Sequence, residues 1–261
     1  MGDARQVTER FIRHFRNVPA ARAGVCRICH GGPGISIYTQ EPFETCFSCR
    51  ESTTLARHTK HVVPISLCVH GDLLYRIVAR HDEPAPESAF PDRNTLLAAT
   101  VARFYQAHSE CLTGLAGGAF DLVTAIPSTQ VSGRNPPWHS MRPIVDKVST
   151  LKASYQEVLS YTGEGASMLK TRKPAENAYI TTTGLHGQRV LLLDDIFVSG
   201  AHVQSAASAL LRASAVTVVV LVIARQIDPD FNDTSAAIWR QALNEPFCFE
   251  RCCLRGPRLV S

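Results

Sequence analysis

Two runs dominate the second half of the chain: the uninterrupted apolar VLLL at residues 190–193 and VTVVVLVI, dominated by β-branched residues, at residues 216–223, with an alanine-rich stretch of helical character at residues 201–213 between them. Runs this apolar leave no solvent-facing side. They predict strands covered on both faces, and the order strand, helix, strand predicts a parallel βαβ unit. FDLVTAI at residues 120–126 predicts a further strand that stops at Pro127. After a polar loop at residues 128–139, Met141, Ile144, Val145, Val148 and Leu151 repeat with helical spacing. Upstream, VVPISLCV at residues 62–69 reads as a strand and GDLLYRIVAR at 71–80 as a helix. DEPAPESAFPD at 82–92 reads as a surface loop marked by three prolines, and residues 96–108 as another helix. Residues 161–188 show no clean period and are expected to form a mobile loop with a short hairpin. The fold class is α/β with a central, mostly parallel sheet.

The ends of the chain follow different patterns. Over residues 3–16, Val7, Phe11, Ile12 and Phe15 share one helical face while Arg5, Arg10, Arg13 and Arg16 fall largely on the other, predicting an amphipathic helix packed on the body of the protein. Residues 25–50 are rich in Gly, Pro and Thr and too few to fold without a staple. They hold Cys26-x2-Cys29 and Cys46-x2-Cys49, with sixteen residues between the pairs. Two such knuckles are the spacing of a tetrahedral zinc site. Four thiolate ligands leave no open coordination position, so the expected role is structural. His30 is expected to be a solvated neighbour.

Composition narrows the class without choosing a ligand. The chain has 261 residues, a formal net charge of +4, 45% hydrophobic and 19% charged residues. That charge suits a phosphorylated small molecule as well as nucleic acid. Nine cysteines, an odd number, do not fit a secreted disulfide framework. The first twenty residues hold no apolar core of signal-peptide length, and the apolar run at residues 215–224 is about half a membrane span. A cytoplasmic protein without membrane insertion is expected. Cys248, Cys252 and Cys253 have no second pair at ligand spacing and are expected to be buried or incidental thiols; Trp239 and Phe247 suggest packing against the core.

The candidate chemistry sits where VLLL delivers Asp194 and Asp195, at the carboxyl end of a strand, the position at which open α/β sheets bind ligands. Ionised carboxylates there accept hydrogen bonds from the vicinal hydroxyls of a ribose, and Mg²⁺ offsets their repulsion. Phe197, Val198, Ser199, Gly200, Ala201 and His202 then form a turn into a helix. Gly200 permits a positive φ and close backbone approach, Ser199 adds a hydroxyl, and the helix start points N–H groups at an anion.

Four apolar residues, two acids and a Ser-Gly turn resemble the 5-phosphoribosyl-1-diphosphate (PRPP) motif of type I phosphoribosyltransferases. Val198 and His202 stand where that family commonly has threonines; an imidazole N–H, with positive charge below its pKa, would replace one hydroxyl contact. A four-cysteine ribbon followed by such a domain resembles the ComF family, cytosolic proteins linked to DNA uptake in competent bacteria, over roughly residues 26–225. The resemblance implies a type I phosphoribosyltransferase-like fold preceded by a small zinc ribbon. Its divisions would be an N-terminal amphipathic helix at 1–24, the ribbon at 25–52, the phosphoribosyltransferase-like domain at 60–228 and a C-terminal extension at 229–261. It assigns Val198, Ser199, Gly200, Ala201 and His202 to ribose-phosphate binding with Asp194 and Asp195, which are also the candidate catalytic residues. Ser128, Thr129 and Arg134 fall in the pyrophosphate loop, where Arg134-Asn135 matches the family's Arg-Gly-Phe-Asn segment only in part. Lys170, Arg172 and Lys173 fall in a flexible loop, and Asp195 is a candidate general base by analogy. Zn²⁺ and Mg²⁺ are the implied ions. Two functions stay open at this point: phosphoribosyl transfer to a nitrogen nucleophile with release of pyrophosphate, or PRPP or nucleotide binding without turnover, with DNA or a competence protein as partner.

Overall fold

The computed structural model describes residues 4–79, 92–129 and 141–254. Residues 82–91 of the proline-rich loop, residues 130–139 of the polar loop with Arg134 and Asn135, and residues 255–261 lie outside the described residues.

Four strands form one parallel sheet: β1 (Val62–Val69), β2 (Leu122–Ala125), β5 (Arg189–Phe197) and β6 (Thr217–Ile227), in the order β1-β6-β5-β2. The two central strands contain the two runs, and both faces of each are covered. Leu191 and Leu193 of β5 point to one face, where α4 (Arg93–Ala116) supplies Leu97, Val101 and Phe104. Val190 and Leu192 point to the other, where α8 (Ala201–Arg212) supplies Val203, Ala207 and Leu210. Period-2 alternation therefore exists, but both sets of positions are apolar.

Edge positions follow from local chemistry. Pro64 has no N–H to give a second neighbour, which suits β1 to an edge. The N-terminal segment covers that edge: Leu67 N donates to Arg16 O at 3.1 Å, and Arg16 N to Ser66 Oγ at 2.8 Å. On the other side, Val123 N donates to Ser154 O and Gln156 N to Val123 O, both at 2.9 Å, so β2 also has a backbone partner.

Three elements differ from the sequence expectation. The basic amphipathic segment is a short α1 (Ala4–Glu9) followed by a 3₁₀ turn (Ile12–His14); Phe11 and Phe15 are buried, and α1 packs on α4. The period over residues 141–151 belongs to two single-turn helices, α5 (Arg142–Val145) and α6 (Ser149–Lys152). Val148, extended at φ −110 and ψ 92, separates them, while all five apolar positions stay buried. Helix α4 runs past residue 108 to Ala116, where Gly117 ends it in the left-handed region at φ 71.

The remaining helices are α2 (Phe47–Ser52), α3 (Leu73–Ala79), α7 (Ala166–Lys170) and α9 (Asp233–Asn244). A two-stranded antiparallel ribbon, β3 (Leu159–Tyr161) with β4 (Tyr179–Thr181), contacts α8. Among the described residues, no helix is long and apolar enough to cross a membrane.

Candidate functional site

Strand β5 ends and α8 begins within four residues, and this junction forms the floor of a cleft of about 320 Å³. Asp194 and Asp195 line it together with Val198, Ser199, Gly200, Ala201 and His202. Ser128 and Thr129, from the segment that leaves β2, line the facing side. They are brought there because β2 is hydrogen-bonded beside β5: Ile126 N donates to Leu193 O at 3.1 Å. Two segments more than sixty residues apart thus meet at the carboxyl ends of adjacent parallel strands, the crevice such sheets offer to ligands.

The turn is built around Gly200, the N-cap of α8, at φ 84 and ψ −1. A Cβ there would lie 2.6 Å from Phe197 Cζ and 3.0 Å from Ser52 Oγ. Both the backbone conformation and the space therefore require glycine. Ala201 N donates to Ser199 Oγ at 3.3 Å. The amides of His202 and Val203, in the first turn, have no acceptor within the helix. With the positive end of a twelve-residue helix behind them, they make the cleft favourable to an anion.

The carboxylates stand in a setting that resists two charges. Desolvation, and then the charge of Asp195, holds the Asp194 carboxyl well above the usual carboxylate range. Tyr179, from β4, is fully buried, and its hydroxyl lies 2.9 Å from His202 Nδ1. Burial and the nearby Asp194 push the Tyr179 phenol up. Burial lowers the His202 pKa, with Asp195 opposing, which moves the positive charge considered from sequence to lower pH. Lys170, Arg172 and Lys173 are exposed and do not line this cleft. Arg172 instead lines a neighbouring cavity of about 190 Å³ with Val198 and Arg225.

The four cysteines converge as their spacing predicts. The sulfurs of Cys26, Cys29, Cys46 and Cys49 all lie within 4.8 Å of one another, and all four residues are buried. Cys46 Sγ accepts from Cys49 N at 3.5 Å and caps α2. Hydrogen bonds from Cys26, Cys46 and Cys49 hold the Cys29 thiol well below its ordinary range, while the contacts with Cys26 and Cys29 push Cys46 and Cys49 up. The four cannot ionise together without a cation among them, and closed tetrahedral sulfur coordination fits one metal ion. His30 is buried, not solvated; its Nδ1 lies 3.0 Å from Pro19 O.

A connection between the two sites was not expected from sequence. Arg225, in β6, is buried, and its Nη1 donates to Phe197 O at 3.2 Å and Val198 O at 2.9 Å. Its guanidinium lies 5.1 Å from the Phe197 ring centroid. Burial alone would lower its pKa, but Cys29, Cys46 and Cys49 raise it further. Gly31 leaves room for it, since a Cβ at that position would meet Nη2 at 2.9 Å. Of the residues sequence reasoning missed, Tyr179 carried no local signal, and Arg225 carried only that of a charge near the end of an apolar strand. No protein-family model matches the chain, and no curated protein matches it.

Proposed function

We propose that this protein binds PRPP with Mg²⁺ and transfers its phosphoribosyl group to a nitrogen nucleophile with release of pyrophosphate. The observation that carries the reading is the convergence of Asp194, Asp195 and the Gly200 turn with Ser128 and Thr129 in one cleft. Asp194 and Asp195 accept the ribose hydroxyls. The amides at the start of α8 receive the 5-phosphate, and the segment at Ser128 and Thr129 faces the diphosphate. Attack of the nucleophile at C1 of the ribose forms the new C–N bond as the C1–O bond to diphosphate breaks. Mg²⁺, carried in with PRPP, supplies charge neutralisation at the diphosphate. The cysteine cluster is assigned to structural zinc. A type I phosphoribosyltransferase-like core with a zinc ribbon is the pattern that the ComF resemblance, which rests on these same residues, implies.

A binding protein without turnover is the second reading, and one observation favours it: the His202 ring, in place of a threonine hydroxyl, is engaged by Tyr179 at 2.9 Å. Pyrophosphate release measured against a panel of nitrogenous bases separates the two. Release with one base supports transfer, and PRPP binding without release from any base supports the sensor.

A further inference from the structure

We propose that His108, Cys111 and Cys252 form a second zinc site, which clips the C-terminal segment to helix α4. Their ligand atoms all lie within 4.8 Å of one another, and all three residues are buried. Neighbouring ligand atoms around tetrahedral zinc stand about 3.5–4 Å apart, so closure needs shifts of about 1 Å or less.

Buried cysteines are common in apolar cores, and the three thiols Cys111, Cys252 and Cys253 do sit in one. The histidine distinguishes this cluster from ordinary core packing. His108 is 4% exposed, and its Nε2 lies 2.7 Å from the carbonyl of Phe249. A carbonyl only accepts, so Nε2 carries the proton and Nδ1 of the neutral ring presents a lone pair. Among the described residues, the hydrogen-bond partner of Nδ1 is Cys111 Sγ, at a long 3.9 Å. An imidazole whose far nitrogen donates to a backbone carbonyl while the near one faces thiols is the usual orientation of a zinc-bound histidine.

The helix explains how one segment supplies two ligands. His108 and Cys111 are three apart on α4 and so share a face. The third ligand arrives from the C-terminal segment, which the carbonyl of Phe249 and the Arg103 guanidinium, 4.2 Å from the Phe249 ring centroid, hold against that face. Binding expels the thiol protons of Cys111 and Cys252, and two thiolates with one neutral imidazole balance a divalent ion. Cys253 is buried next in the chain but is not among the ligand atoms that lie within 4.8 Å of one another, so the three ligands leave the fourth position to water or a further group.

Native mass spectrometry of the full chain, purified with reductant and without chelator, tests this directly. The expected result is two zinc ions per chain, falling to one in Cys111→Ser and separately to one in Cys26→Ser. A single zinc that Cys26→Ser removes, or a wild-type chain lighter by two hydrogens through a Cys111–Cys252 disulfide, overturns the proposal. Should Cys111→Ser not fold, zinc X-ray absorption on the wild-type protein decides. An imidazole contribution to the zinc shell is expected, and an all-sulfur shell overturns it.

Discussion

Arg225 donates to the carbonyl of Val198 at 2.9 Å while it carries its charge to the thiol of Cys29. One buried side chain thus holds the turn that opens the candidate ligand cleft and faces the cysteine cluster from the other side. The two regions lie more than 140 residues apart in the chain; pairing of β6 with β5, including Phe197↔Arg225, sets Arg225 beside the turn, and its side chain reaches the cysteines from there. With a divalent ion held by four thiolates, Arg225 would also offset the remaining negative charge.

Arg225→Met keeps the bulk and removes both charge and donors. Loss of one partner of a buried charged group costs about 3–5 kcal/mol. Faster zinc loss to a chelator and weaker PRPP binding are expected together. Arg225→Lys should recover part of the metal retention, since the charge returns, and less of the ligand affinity, since the shorter side chain has no nitrogen at the position from which Nη1 reaches both carbonyls. Chelator competition and ligand titration on the same preparations measure both. Unchanged PRPP affinity in a folded Arg225→Met protein would detach this residue from the cleft.

Gly200→Ala forces a side chain into the space held by Phe197 and Ser52 at a φ of 84. A cost of about 1–3 kcal/mol is expected from backbone strain. PRPP affinity should fall with it because the turn must move. Gly187→Ala serves as the control: its φ is 82, but nothing lies within 4 Å of its Cβ position. Denaturant midpoints should fall in both variants, and ligand affinity in Gly200→Ala alone.

Asp194 ties function to stability. Its folded-state pKa is raised, first by desolvation and then by Asp195, so the neutral carboxyl is the form the fold prefers. The associated stability is fully present below the unfolded carboxylate pKa and is lost as pH rises through the raised folded value. Asp194→Asn should therefore match wild type in acid and exceed it at neutral and alkaline pH. Thermal unfolding across pH reads this as a gain in Tm of about 2–4 °C per kcal/mol for a chain of this size. The same variant should bind PRPP more weakly. A pH-independent difference in Tm would place the stabilisation elsewhere.

What was legible in the sequence follows from which interactions leave a local record. Strands β5 and β6 were readable because burial on both faces removes polar positions from consecutive residues, and the cysteine cluster because two knuckles of fixed spacing are needed to surround one ion. Asp194, Asp195 and Gly200 were readable for a similar reason, since adjacent residues build the junction. By contrast, the contact of the Tyr179 and His202 side chains and that of Arg225 with the Val198 carbonyl join groups from segments distant in the chain. No period records such contacts. Cys252 was unreadable as a ligand because its partners, His108 and Cys111, lie on α4. The apolar spacing at residues 141–151 reported a buried face correctly but not the interruption at Val148, since burial of a face does not require unbroken helical hydrogen bonds.

Isothermal titration of the full chain with PRPP and Mg²⁺ tests the central claim most directly. Saturable binding is predicted for the wild-type protein, with affinity reduced at least about tenfold in Asp194→Ala/Asp195→Ala, since the loss of even one charge-assisted hydrogen bond to a ribose hydroxyl costs about 1.5–3 kcal/mol. A folded wild-type protein that does not bind PRPP, or a double variant that binds it equally well, would contradict the assignment of this cleft.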